Sequence, residues 1–191
     1  MFRRMTKDRF LSDRELAAFM AAVASRRHKN QPRDHALFAL LANTGIRPSE
    51  ALALTLGDLH LAGREPWISV SRKKKRRPSS DELQIPADLA EILGRHAAER
   101  ETDPSVRLFP FNGRQVRKLF HHYAGLAGIA RGHRVYSLRH TAATRIFRAT
   151  GDIRLVQALL GHERPDMSCI YAHITRAMLS QHARTFPVVV G

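Results

Sequence analysis

The 191-residue chain contains one cysteine, Cys169, so it can form neither an internal disulfide nor a cysteine-cluster zinc site. It has one tryptophan and three tyrosines. No apolar run approaches the ~20 residues of a membrane-spanning helix, and Met1–Arg14 lacks the hydrophobic core of a signal peptide. A cytoplasmic, reducing location is therefore the default expectation. Acidic residues are scarce: 17 Asp and Glu stand against 32 Lys and Arg, a formal net charge of +15 at pH 7. An excess of that size bears on partners rather than on fold. The natural polyanion is nucleic acid, whose neutralised phosphates release counterions. A basic ribosomal or membrane-surface protein is the other class this charge admits. Against it stand 43% hydrophobic residues in regular amphipathic segments, enough for one packed domain.

The segments read as mainly α with a small antiparallel β-hairpin or sheet. Ser12-Asp13-Arg14-Glu15 has the form of a capping box, with Ser at the N-cap and Glu at the third helical position. Leu16, Phe19, Met20 and Val23 follow at helical spacing. A second, more apolar helix covers 34–43, and Gly45 stops it. Pro48 starts a third at its first position, carrying Ala51, Leu52 and Leu54. Trp67–Val70 and Leu83–Ile85 form the arms of the hairpin. Between them lie six consecutive basic residues, Arg72–Arg77, and a turn over Pro78–Asp81. Further helices cover about 86–100, 115–129, 137–149 and 153–160, the last capped by Asp152 and ended by Gly161, and a final one covers 176–184.

Several side chains stand out against this background. Stepping the 137–149 helix by about 100° per residue from Leu138 spreads Ala142, Ala143, Ile146 and Phe147 over roughly 40° to 180°. Arg139 falls inside that apolar arc, with Arg145 and Arg148 opposite. A buried guanidinium needs an anionic partner, and the sequence leaves open whether that is a carboxylate or a phosphate. Arg47 occupies an N-cap, a position that prefers an acceptor and repels a cation. Glu50 lies where its side chain reaches back to it. A residue set against local preference is a functional suspect, although an exposed Arg of no consequence is the plain alternative. Charge runs such as 72–77 are usually solvated, but a hairpin tip can enter a DNA groove. Tyr123 lies on the apolar side of its helix and reads as core. Tyr171 follows Gly161 in a polar stretch interrupted by Pro165 and Asp166.

Taken together, these pieces resemble the tyrosine recombinase (phage integrase) family over about 10–174. Thr44-Gly45-Ile46-Arg47-Pro48-Ser49-Glu50 resembles its first Arg motif, and the hairpin with Lys73 its catalytic-Lys hairpin. Tyr136-Ser137-Leu138-Arg139-His140 resembles its His-x-x-Arg box. Leu159-Leu160-Gly161-His162 resembles the third box, with Tyr171 at the nucleophile's spacing. The resemblance implies that Arg47, Arg139 and His162 bind the scissile phosphate and Tyr171 attacks it. It implies that Lys73 protonates the leaving oxygen, that Tyr136 belongs to the same catalytic set, and that Arg72, Lys74, Lys75, Arg76 and Arg77 bind DNA. The implied partners are double-stranded DNA carrying a specific site and further copies of the chain, as a tetramer. No cofactor or metal is implied. The implied division is a basic N-terminal arm over 1–9, a catalytic domain over 10–175, and a C-terminal helix or tail over 176–191 that exchanges between protomers.

Three departures from the family pattern stand out. Tyr136 occupies the usual His position. Lys73, Lys74 and Lys75 together leave the register of the catalytic Lys open. The chain begins almost at the catalytic domain, as in the small recombinases that switch fimbrial promoters, whereas most relatives carry a preceding DNA-clamping domain. Two other activities remain open from sequence: a DNA-binding protein of this fold with little cleavage, and a type IB topoisomerase-like enzyme.

Overall fold

The computed structural model describes residues 10–25, 29–73, 78–100, 102–129 and 132–161, with 73, 78 and 79 described by backbone only. The chain divides into two units, residues 1–142 and 143–191.

In the first unit, α1 (Asp13–Ser25) begins at the Ser12–Glu15 capping box: the Glu15 backbone N–H donates to Ser12 Oγ at 3.2 Å, and the Ser12 N–H donates to Glu15 Oε2 at 2.8 Å. α2 (Gln31–Thr44) starts earlier than the sequence suggests and is buried along most of its length. Gly45 ends it in the left-handed conformation, φ 65°, which a Cβ would disfavour. α3 (Pro48–Ala51) is a single turn, shorter than expected. The chain leaves it because Leu54 turns into the core, where its carbonyl accepts from the Leu108 N–H at 2.9 Å.

A 3₁₀ turn at Leu56–Asp58 leads into β1 (Leu59–His60), which pairs antiparallel with β2 (Trp67–Lys73). β2 pairs antiparallel with β3 (Pro78–Gln84), giving the strand order β1-β2-β3. The small antiparallel sheet has a third strand, β1, too short to show as a hydrophobic alternation. One expectation is corrected here. Pro78–Asp81 is not a turn but strand, in register with Val70–Lys73.

α4 (Ala87–Ala98) packs on α2, and α5 (Gly113–Leu126), capped by Asn112 with Gln115, packs on α1. Their shared core is aromatic. Phe19 meets Phe38 edge-on at 5.1 Å and Phe120 at 5.2 Å, and Phe38 meets Tyr123 at 5.8 Å, within the range in which ring pairs add to burial. The Tyr123 hydroxyl donates to buried Asp34 Oδ2 at 2.8 Å, and Arg33 pairs with the other carboxylate oxygen at 3.0 Å.

α6 (Val135–Thr150) begins in the first unit. In the second unit its later turns and α7 (Ile153–Leu160) bury Ala143, Phe147, Val156 and Leu160 together. Asp152 Oδ1 caps α7 by accepting from the Arg154 N–H at 2.7 Å, and Gly161 closes it at φ 61°. Among the described residues, no helix is long and apolar enough to cross a membrane. The arm at 1–9 and the segment 176–191 lie outside the described residues.

Candidate active site

The site grows from the α2–α3 junction. Arg47 is the N-cap of α3, and Pro48 takes the first helical position, where its missing N–H costs nothing. Glu50, one turn on, answers the misplaced cation twice. Its Oε2 accepts the Arg47 backbone N–H at 2.7 Å, and its Oε1 accepts from the Arg47 guanidinium at 2.7 Å. The Glu50 side chain is buried, whereas about a third of Arg47 stays exposed. Burial alone would lower the Arg47 pKa. The hydrogen bond and charge of Glu50, helped by Tyr136, outweigh it and hold the guanidinium above its ordinary value.

Arg139 reaches the same junction from α6. It is 3% exposed, and it donates to the carbonyl of Gly45 at 2.6 Å. A glycine in the left-handed region thus ends one helix and presents its carbonyl to an arginine 94 residues later. Burial draws the Arg139 pKa down. Tyr136 opposes this, Arg47 adds to it, Glu50 opposes it, and Arg72 adds to it. Arg47, Arg72 and Arg139 against Glu50 and Asp81 leave one net positive charge among these five groups.

Tyr136, in the first turn of α6, is 45% exposed; its ring lies 5.9 Å from the Arg139 guanidinium carbon and 5.7 Å from the His140 ring. Two clefts meet at Arg47. One, of about 420 Å³, is lined by Tyr136, Arg117 and Arg134 together with Arg47 and Ser49. The other, of about 540 Å³, includes Ser71, Arg107 and Asn112 with Arg47 and Ser49. Arg107, Arg117 and Arg134 escaped the sequence reading. Each is one basic residue among many, and only the fold brings them to the two clefts at Arg47.

Arg72 departs from the expected solvated basic tip. Strand alternation places it with Ile68 and Val70 on the core face, 3% exposed, with Nε 2.7 Å from Asp81 Oδ2. Its partner Asp81 is about a third exposed, so the pair reaches from the core face toward the surface. Lys73 continues β2 and pairs with Pro78 in the ladder. Lys74, Lys75, Arg76 and Arg77 lie outside the described residues, as do His162 and Tyr171. Tyr123 is core, bound to Asp34. Among the described residues no group of three or more His, Cys, Asp or Glu could hold a metal ion.

The family model described as "Phage integrase family" matches residues 9–178. The chain is 30% identical over 181 residues to tyrosine recombinase XerC of Corynebacterium efficiens, covering 92% of this chain and 57% of that protein. It is 34% identical over 169 residues to tyrosine recombinase XerD of Pseudomonas aeruginosa, covering 81% and 54%. The chain thus spans about half the length of the curated relatives it matches. Among solved structures, the XerH site-specific recombinase bound to its difH substrate superimposes with a TM-score of 0.79 at 25% identity, covering 96% of this chain and 55% of that one. The catalytic domain of bacteriophage HP1 integrase shares the fold, with a TM-score of 0.66 at 22% identity and coverage of 94% and 95%. With a family match over residues 9–178 and a tyrosine recombinase 30% identical across 92% of its length, the chain belongs to the phage integrase family, that of the tyrosine recombinases.

Proposed function

We propose that the chain is the DNA-breaking and rejoining domain of a site-specific recombinase that works through a 3′-phosphotyrosine. Tyr171 Oη attacks the scissile phosphorus as its own proton passes to solvent, the bond from phosphorus to O5′ breaks, and Lys73 gives a proton to that oxygen. Arg47, Arg139 and His162 hold the non-bridging oxygens, whose charge grows in the transition state. Tyr136 donates a hydrogen bond where relatives use an imidazole. Its phenol, with an ordinary pKa of about 10, is a poor base at neutral pH. The 5′-hydroxyl of a partner strand then attacks the phosphotyrosine and regenerates Tyr171, so bond energy is conserved. The partners are double-stranded DNA carrying a specific site and three further copies of the chain, in the cytoplasm. Lys74, Lys75, Arg76 and Arg77 contact the DNA backbone.

One observation carries this reading. Arg47 and Arg139, distant in sequence, are brought to the one α2–α3 junction, Arg47 held by Glu50 and Arg139 by the Gly45 carbonyl, and Arg47 lines a cleft beside Tyr136. A nicked suicide substrate tests it, because loss of the short strand past the nick traps the covalent intermediate. An adduct that maps to Tyr171 supports the proposal. Binding without any adduct favours an inert DNA-binding protein. Relaxation of supercoils lacking any specific site favours a topoisomerase.

A further inference from the structure

Arg72 is an oddity in the sheet. Ile68, Val70 and Arg72 occupy successive core-facing positions of β2, and all three are buried. An apolar residue would fill the third position without desolvating a guanidinium. Instead the chain places a buried arginine there and answers it from the neighbouring strand. In the ladder Arg72 faces Ser79, and Asp81 faces Val70, so the 2.7 Å ion pair crosses the hairpin diagonally. On the other face Ser69 Oγ and Ser80 Oγ lie 2.6 Å apart, a second diagonal link. Both links are made within the last few pairs before the ladder ends at Lys73 and Pro78. β2 packs on α3, the helix that Arg47 caps.

We propose that Arg72 is a positioning residue for Lys73. Anchored to Asp81 across the hairpin and buried on the core face of β2, it fixes the end of the strand so that the next residue is delivered to the leaving oxygen. This inference rests on the proposed general-acid role of Lys73. Without the anchor, the last pairs of a short two-stranded ladder open more often. Lys73 is then in place for a smaller fraction of the time, while Arg47 and Arg139 still hold the phosphate.

The test compares two substrates for the nicked-site cleavage assay, one with a normal phosphodiester and one with sulfur bridging to the 5′ carbon at the scissile position. A thiolate leaves without a proton, so the second substrate bypasses the general acid. Arg72→Met is expected to slow cleavage of the normal substrate roughly 10- to 100-fold, part of the span a general acid supplies. DNA binding should be unchanged, and the sulfur substrate should be cleaved at nearly the wild-type rate. Asp81→Asn, at the more exposed partner, should give a smaller defect with the same rescue, and it serves if Arg72→Met fails to fold. A defect that persists on the sulfur substrate would place Arg72 at the phosphate itself and overturn the proposal, as would normal cleavage by both variants. Lys73→Ala runs alongside: if the sulfur substrate does not rescue it, the general-acid role of Lys73 has failed. If it rescues Lys73→Ala but neither Arg72→Met nor Asp81→Asn, only the positioning role has.

Discussion

Replacing Glu50 separates the two services that this carboxylate performs for Arg47. Glu50→Gln keeps an oxygen to accept the Arg47 backbone N–H but removes the charge facing the guanidinium; Glu50→Ala removes both. A lost N-terminal cap costs about 1 kcal/mol. Breaking a fully buried ion pair costs about 3–5 kcal/mol, and an exposed one contributes about 0–1 kcal/mol. The pair here joins a buried carboxylate to a guanidinium about a third exposed, which places it near 2 kcal/mol on those scales. Glu50→Gln is therefore expected to lose about 2 kcal/mol and Glu50→Ala about 3 kcal/mol. For a chain of this size that lowers the melting temperature by roughly 4–8 °C and 6–12 °C respectively. Both variants should cleave a nicked substrate more slowly in single turnover, because Arg47 is no longer held toward the phosphate. Circular-dichroism melts and covalent-adduct kinetics read the two effects separately. Wild-type melting and wild-type cleavage in Glu50→Gln would refute the argument that Glu50 steadies Arg47.

Tyr171→Phe should abolish the covalent adduct and leave DNA binding intact; a trapped adduct on Tyr123 or Tyr136 by peptide mapping would reject the nucleophile assignment. Tyr136→Phe should slow cleavage about ten-fold or less, the scale of one modest hydrogen bond, and Tyr136→His should stay active; loss as complete as in Tyr171→Phe, in a folded and bound protein, would make Tyr136 essential. DNA affinity should fall steeply with salt, with a log–log slope near −5 for roughly six phosphate contacts, and a flat titration would reject a backbone-dominated interface. Burial holds both His96 and His35 below the ordinary imidazole value of 6.5. The unfolded chain therefore takes up these protons first as pH falls, and stability present above about 6.5 declines below it. Melting temperature against pH should show this decline, and His96→Gln should flatten it; an unchanged profile in that variant would exclude His96 as a contributor.

Much of this architecture is written locally. The Ser12–Glu15 box, the Gly45 and Gly161 stops and the Asp152 cap each depend on residues within one turn. Arg139 was legible because helical periodicity alone places it among alanines and phenylalanine. Glu50 was legible because an N-cap and its third helical position are a fixed distance apart. What was hidden depends on tertiary register. Arg72 looked like one more member of a basic run until strand pairing extended to Lys73 and turned it inward toward Asp81. β1 is two residues long and pairs only because the 3₁₀ turn delivers it to β2. Arg117 and Arg134 line the Arg47 cleft because α5 and the start of α6 meet there. The carbonyl partner of Arg139 was also beyond sequence, since a search for its partner begins with carboxylates.

The Gly45–Arg139 hydrogen bond bears on when the protein becomes active during its own synthesis. Arg47 and Glu50 assemble within one helical turn, soon after they leave the ribosome. Their partner arginine is 94 residues downstream, and contacts of such sequence separation form late because a long loop must close first. A nascent chain ending before α6 holds Arg47 and Glu50 but lacks Arg139. On the function proposed above, competence to cleave would arrive only with the folded domain.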